Sequence, residues 1–502
     1  MPAQALAAVA TLLSFAPHGN RIEMVLDRGS AEVVWSSART FRFRRTLDGP
    51  LPAVQSATPE PVAIQLDDTP GALRMQSPLL EVTIEKHGLL VRVKELDGTA
   101  LMTDLSEPRE EAGQFVWQRQ APAGVRFYGL GPRADAVFDL RGRAVSAAVS
   151  SDVPFLISTA GYGEYHPGGG TYRFDFTAPN RYQVAAPRVD YFFYYGPKPK
   201  QIFEEHNRNR GPAVDWPAST ERPGTWATLR DSLLRLVEGA ISADFEPTFD
   251  LTAYTDAPLE LQQRARQIGS LVRQVTPGTL GLSGFRKQLA SFFAIYDIEV
   301  RDHGHPTWHP LPFQFPDDPE CARHTDEFML GDEMLIAPIY APGGKRQAYL
   351  PQGIWTNLET NQVSQGRQTI SVETAVLPVF ARNGTIIPLD SPAGMALHYF
   401  PKLGGEFFLI EAETGEYTQI HAAPAADIMR LEIESKKDRD YQWVVHHVEK
   451  PTMVGFEDRI YVPAASPVAL PDAHWYYDAA QKNLQVRVKV KAGEDRIINL
   501  IW

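Results

Sequence analysis

The chain has 502 residues, 43% hydrophobic and 22% charged, with 61 acidic against 49 basic side chains and a formal net charge of −12. That composition belongs to a globular protein able to bury several cores. The acidic balance excludes a nucleic-acid partner, because no basic surplus is present to replace counterions released from a phosphate backbone. One cysteine, Cys321, excludes an internal disulfide framework or a cysteine-based zinc cluster and leaves the compartment open.

The N-terminal stretch MPAQALAAVATLLSFAPHG is apolar, carries no Lys or Arg before Arg21 and is too short to span a bilayer. A first strand and an export signal fit it equally, so cytoplasmic and exported locations both stay open, and no other segment is a transmembrane candidate. From Arg21 to about Gly196 the pattern has period two. Val82 and Ile84 alternate with Thr83 and Glu85, His87-Gly88 turns the chain, and Leu89, Val91 and Val93 follow. The run Val189–Tyr195 (VDYFFYY) reads as a strand buried on both faces, and this third of the chain as one large antiparallel β-sandwich.

Helical spacing begins after Pro197. Trp226, Leu229, Leu233, Leu236 and Val237 share a face, with Gly239 expected to stop the helix. A second helix is expected over Pro258–Arg273 and a third over Phe285–Val300, with a short strand, Thr248–Tyr254, between the first two. Apolar strands return at Met334–Ile339, Gln347–Leu350, Val376–Phe380 and Thr385–Leu389. Turn signals at Pro342-Gly343-Gly344, Gln352-Gly353 and Asn383-Gly384 separate them. Phe407–Tyr417 and Leu484–Val490 alternate as strands of a distal sandwich.

Several blocks, in order, resemble glycoside hydrolase family 31, the α-glucosidase and α-xylosidase family. RFYGLGPRADAVFDLRG (Arg126–Gly142), DVPFLISTAGYGEYHPGGG (Asp152–Gly170) and YFFYYGPKPKQIFEEHNRNRGP (Tyr191–Pro212) are similar to its N-terminal sandwich and helical exit, with Pro132 where the family has Glu. The stretch from GTWATLRDSLL to RQIGSLV, and then LASFFAIYDIEVRDHGHPTWHPLPFQFPDD, resembles the last part of its catalytic barrel. Asp326–Leu389 resembles its first C-terminal sandwich. The resemblance implies a multidomain, mainly β chain. It would comprise an N-terminal, galactose-mutarotase-like β-sandwich over 1–205 and a truncated (β/α)8-type barrel remnant over 206–335. Two C-terminal β-sandwiches would follow, proximal over 336–405 and distal over 406–502. The truncation follows from length, since the 130 residues from His206 to Leu335 fall short of the roughly 250 that a complete eight-stranded barrel needs.

A retaining glycosidase uses two carboxyl groups about 5–5.5 Å apart, one as nucleophile and one as acid. The family's nucleophile lies in a WxDMNE-like strand, and no such string occurs here. Its acid is an Asp five residues before the Trp that opens the next helix. Counting back from Trp226 reaches Glu221, with Asp215 an alternative in the same loop; the rarity of catalytic carboxylates favours the plainer reading of a solvated loop acid beside Arg222. Asp250 takes the place of the Asp in the family's DIGGF, near the sugar-binding floor, either to orient a hydroxyl or only to bond its neighbours. The family's sugar-gripping RxH has no counterpart in SLVRQVTPG.

His303, His305 and His309, beside Asp302, lie in a run that Pro306 and Pro310 keep extended, which aligns the imidazoles on one face but too far apart for one ion. No metal and no cofactor is expected. The expected function is family 31-like hydrolysis of terminal α-linked sugars with retention, impaired by the missing nucleophile segment. The alternative is an inactive carbohydrate-binding or scaffold remnant. An α-glycoside is the expected partner, without membrane. Because a cut barrel exposes strand edges, either two chains pair through the middle region as a homo-oligomer or the remnant repacks onto the N-terminal sandwich.

Overall fold

Alternation of buried and exposed residues builds most of the chain into antiparallel sheets. In the computed structural model, residues 9–53, 61–133, 137–149, 154–210, 223–243, 247–457, 459–468 and 470–502 are described. They divide between two bodies. The first is drawn from Met1–Pro217, Glu238–Glu246 and His303–His305, the second from Ala218–Val237, Pro247–Asp302 and Pro306–Trp502.

In the first body, Leu80, Val82 and Ile84 point inward from Leu80–Glu85 and pair across to Val91–Glu95, as period two requires. These strands belong to a five-stranded meander spanning 65–103. A second sheet of five strands runs Arg109–Glu111, Gln114–Gln120, Arg181–Ala186, Gly170–Asp175, Ala144–Val149, and an eight-stranded sheet runs from Leu12–His18 to Phe127–Gly129. The expected single sandwich is therefore three sheets around one core, in which Trp35, Phe41, Phe43, Trp117, Tyr172 and Phe193 are all buried. Val189–Tyr195 lies inside the eight-stranded sheet, between Thr40–Arg45 and Tyr162–Tyr165, which is why its apolar run does not alternate.

Charge is buried in this core. Arg119, fully enclosed, donates from Nε to Asp104 at 2.9 Å and from Nη1 to Glu164, whose other oxygen meets His166. The helix Pro199–Asn209 carries Pro at its first position and buries Ile202, Phe203 and His206, with His206 stacked 4.2 Å from Phe155. A Cβ on Gly163 would collide with Ile202, so the close approach of helix to sheet needs glycine there.

In the second body, the strands Thr248–Asp250 and Gln274–Thr276 pair in parallel, with the helix Leu259–Gly269 between them in sequence. Further along, a six-stranded sheet runs Trp308–Pro310, Phe328–Leu330, Met334–Ile336, Val379–Arg382, Ile354–Asn357, Val363–Gln365. It buries Leu311, Cys321, Met329, Leu335, Trp355 and Phe380, together with residues of the two-stranded sheet Lys345–Leu350/Gln368–Glu373. Two more six-stranded sheets fill 386–502. Among the described residues no helix is long and apolar enough to cross a membrane.

Several boundaries differ from the expected ones. The first helix of this region runs Trp226–Ile241, through Gly239. Burial of Leu236, Val237, Ala240 and Ile241 outweighs glycine's cost of about 1 kcal/mol, and the chain turns instead at Ala243, with φ 62°. The second helix ends at Gly269 rather than Arg273. The third is two helices, Gly284–Gln288 and Ala290–His303, broken where Leu289 adopts φ −94°, ψ 15°. Thr248–Tyr254 is a strand only to Asp250 and then a 3-10 turn over Thr252–Tyr254. Pro378, which cannot donate to a ladder, delays the expected Val376–Phe380 strand to Val379–Arg382. Phe407–Tyr417 is not one strand but the turn and inner ends of a hairpin, Gly405–Ile410 with Tyr417–Pro424.

Candidate functional site

Asp250 closes the parallel strand Thr248–Asp250, the end at which open α/β sheets present ligand-binding groups. Its strand is held by Phe249 and Leu251, both buried, packing beside Gly269 of the following helix. Asp250 itself is exposed. Its Oδ1 accepts from the Thr252 amide at 2.8 Å and the Thr252 hydroxyl at 2.6 Å, which starts the 3-10 turn. One carboxylate oxygen is thus committed to this turn, and the side chain faces solvent.

Three residues on from Asp250, the Ala253 carbonyl accepts from the Gly224 amide at 2.9 Å, fixing the chain's entry into the helix Trp226–Ile241. Burial raises the Tyr254 hydroxyl, and the negative charges of Asp250 and Asp231 add to that rise. Asp231 therefore faces the same phenol as Asp250. Sequence reasoning passed over it, because the helix that carries it precedes the strand and only folding brings the two together. Glu221 and Asp215, the acid candidates, lie outside the described residues.

A second carboxyl cluster, in the LGDEM run, went unread in the sequence. In the hairpin Phe328–Leu330/Met334–Ile336, the Tyr296 hydroxyl donates to Glu333 at 2.7 Å and accepts from the Asp332 amide at 2.8 Å. A Cβ on Gly331 would overlap the Tyr296 ring, so the turn admits the phenol only with glycine there. Burial, and then Asp332, push the Glu333 carboxyl up to about 8. It therefore holds a proton at neutral pH, a property shared with general acids.

The three histidines do not form the aligned row expected of an extended segment. His303 ends a helix, His305 lies 3.3 Å from Glu204, and His309, in the strand Trp308–Pro310, lies 3.0 Å from Gln314 and 3.4 Å from Asp332. The tight turn of the helix end and the left-handed Gly304, φ 72°, break the extension. His324, Asp326 and Glu327 do bring ligand atoms within 4.8 Å of one another. Arg346, 3.3 Å from Asp326 and 3.7 Å from Glu327, already supplies the cation, and the Tyr349 amide and Tyr340 hydroxyl donate to the same carboxylates. That donor set does not suit a metal ion.

Residues 304–387 match the glycosyl hydrolase family 31 C-terminal domain. The chain is 28% identical over 182 residues to alpha-glucosidase 2 of Bacillus thermoamyloliquefaciens, covering 31% of this chain and 23% of that protein. It is 37% identical over 93 residues to an alpha-glucosidase of Saccharolobus solfataricus, covering 18% and 13%. In sequence, then, it spans less than a quarter of these relatives' own length. Its fold is similar to that of a Flavobacterium johnsoniae dextranase solved with glucose, with a TM-score of 0.83, 14% identity, and coverage of 99% of this chain and 100% of that one.

Proposed function

Since the chain belongs to glycoside hydrolase family 31, we propose that it binds terminal α-linked sugars at the floor around Asp250 and hydrolyses them, with retention, only in impaired form. The observation that carries this is Asp250 itself, exposed at the end of a parallel strand with one oxygen tied down. The charges of Asp250 and Asp231 both bear on the Tyr254 hydroxyl, which sets polar groups near one another as a hydroxyl-rich ligand would require. In this reading Glu221, or Asp215, supplies the acid, and a barrel remnant over 206–335 has lost the segment bearing the nucleophile. Retention requires a glycosyl-enzyme, and without that second carboxylate its formation is slow, so turnover is impaired or lost. The sugar-bound neighbours favour a glucose-containing ligand. An unclosed remnant also leaves strand edges for a second copy of the chain to cover.

The test measures release of nitrophenol from α-glucoside, α-xyloside and α-galactoside, alongside sugar binding by calorimetry. Weak turnover that Glu221→Gln abolishes supports the acid assignment. Binding that Asp250→Ala removes, without turnover, supports the scaffold form of the same reading. Full turnover unaffected by Glu221→Gln and Asp215→Asn, or no sugar binding at all, refutes it.

A further inference from the structure

A cluster unrelated to the sugar floor lies in the second body, where the loop after Ile354–Asn357 meets the sheet containing Gly394–Tyr399 and Arg439–Val445. Asn361 holds a left-handed backbone, φ 59°, which Asn tolerates better than most residues. Its Nδ2 donates to the Gln481 carbonyl at 2.9 Å, turning Oδ1 towards His446 Nδ1, 3.4 Å away. With its proton on Nδ1, His446 presents a lone pair at Nε2, and His398 Nδ1 lies 3.0 Å from it. The ring centroids are 5.2 Å apart at 28°, the spacing of an in-line N–H···N bond. Phe400 lies flat against His446 at 4.3 Å, and His446 donates its backbone N–H to Tyr399 at 2.9 Å. The chain next to His446 is itself in an uncommon conformation, with His447 at φ 53°.

We propose that the His398–His446–Asn361 relay is an acid-sensitive joint, which ties the loop at 357–363 to the sheet of 386–502 when both imidazoles are neutral and lets go on acidification. The pair can share one proton and keep its bond, but a second proton sets two donors against each other across 3.0 Å. Among the described residues no carboxylate bears on either ring, and Asn483, which bonds to His446, brings no charge. The electrostatic neighbours of the three imidazoles, His398, His446 and His447, are one another and Lys402. Burial alone draws His398 down to about 4 and, with the neighbouring imidazoles, holds His446 well below its ordinary value. An unfolded chain takes up these protons near pH 6.5. The folded joint refuses them, so its stability falls as pH drops from about 6.5 towards 4.

Hydrogen exchange of peptides covering 394–399 and 439–447, followed on the full chain from pH 7 to pH 4 after correction for intrinsic exchange, tests the joint. Protection should fall at least tenfold over that range. In His398→Gln/His446→Gln, whose amides can bond but not titrate, the fall should shrink to less than threefold. Asn361→Asp works by the opposite route, since a carboxylate beside His446 pays for its proton, and should move the loss of protection down by about half a pH unit or more. His421→Gln, on the other sheet of the same region, should change nothing. Unaltered pH dependence in both the double variant and Asn361→Asp would overturn the proposal.

Discussion

Glu164 in the first body and Glu333 in the second are both buried carboxyls, yet they are stabilised in opposite ways. Burial works to raise Glu164, but Arg119 and then His166 outweigh it and hold the carboxyl below its usual range, ionised. Around Glu333 there is a phenol and another acid, so burial prevails, pushes the carboxyl up to about 8 and leaves it neutral at neutral pH. What separates them is one guanidinium. A buried charge is tolerable only when a partner compensates its lost hydration; otherwise the group gives up the charge.

The comparison breaks most sharply at Arg119. Replacing it with Leu leaves Glu164 and Asp104 enclosed without their cation, and should cost about 3–5 kcal/mol in chemical unfolding of the first body. Glu333→Gln is the counterpart. Because its folded pKa is raised, Glu333 contributes stability in full below its ordinary value of 4.5 and loses it as pH rises through about 8. Wild type should therefore weaken, on the order of a few kcal/mol, between pH 5 and pH 9 relative to the variant. Thermal unfolding at those two values would show the gap widening with pH, and a constant gap would contradict the assignment.

Glu205 sharpens the contrast as an intermediate case. It is buried, accepts from Ser37 at 2.8 Å and Thr40 at 2.6 Å, and meets only the solvent-facing Arg208, at 3.0 Å. Glu205→Gln should cost about 1–2 kcal/mol, less than Arg119→Leu, by the same denaturant measurement. Asp250, exposed, is the control. Asp250→Asn should change stability by less than about 1 kcal/mol while weakening sugar binding in calorimetry, separating its turn-forming role from its proposed ligand role.

The strands were legible because period two survives in any sheet with one wet face, as at Leu80–Glu85, and a doubly buried strand such as Val189–Tyr195 announces itself by losing that period. Asp250 was singled out in the sequence by its place in a family motif. Asp231 and Glu333 were not, since each gains its meaning from a phenol distant in sequence, Tyr254 or Tyr296, that folding brings alongside. The chain's own composition and spacing determined a mainly β protein with one short stretch of strand–helix alternation in its middle. Helix ends, the break in the histidine row, the charge states of Glu164 and Glu333 and the imidazole relay were decided only in three dimensions. Periodicity is a property of neighbours along the chain, whereas desolvation and hydrogen bonding depend on whichever groups packing places within a few ångströms.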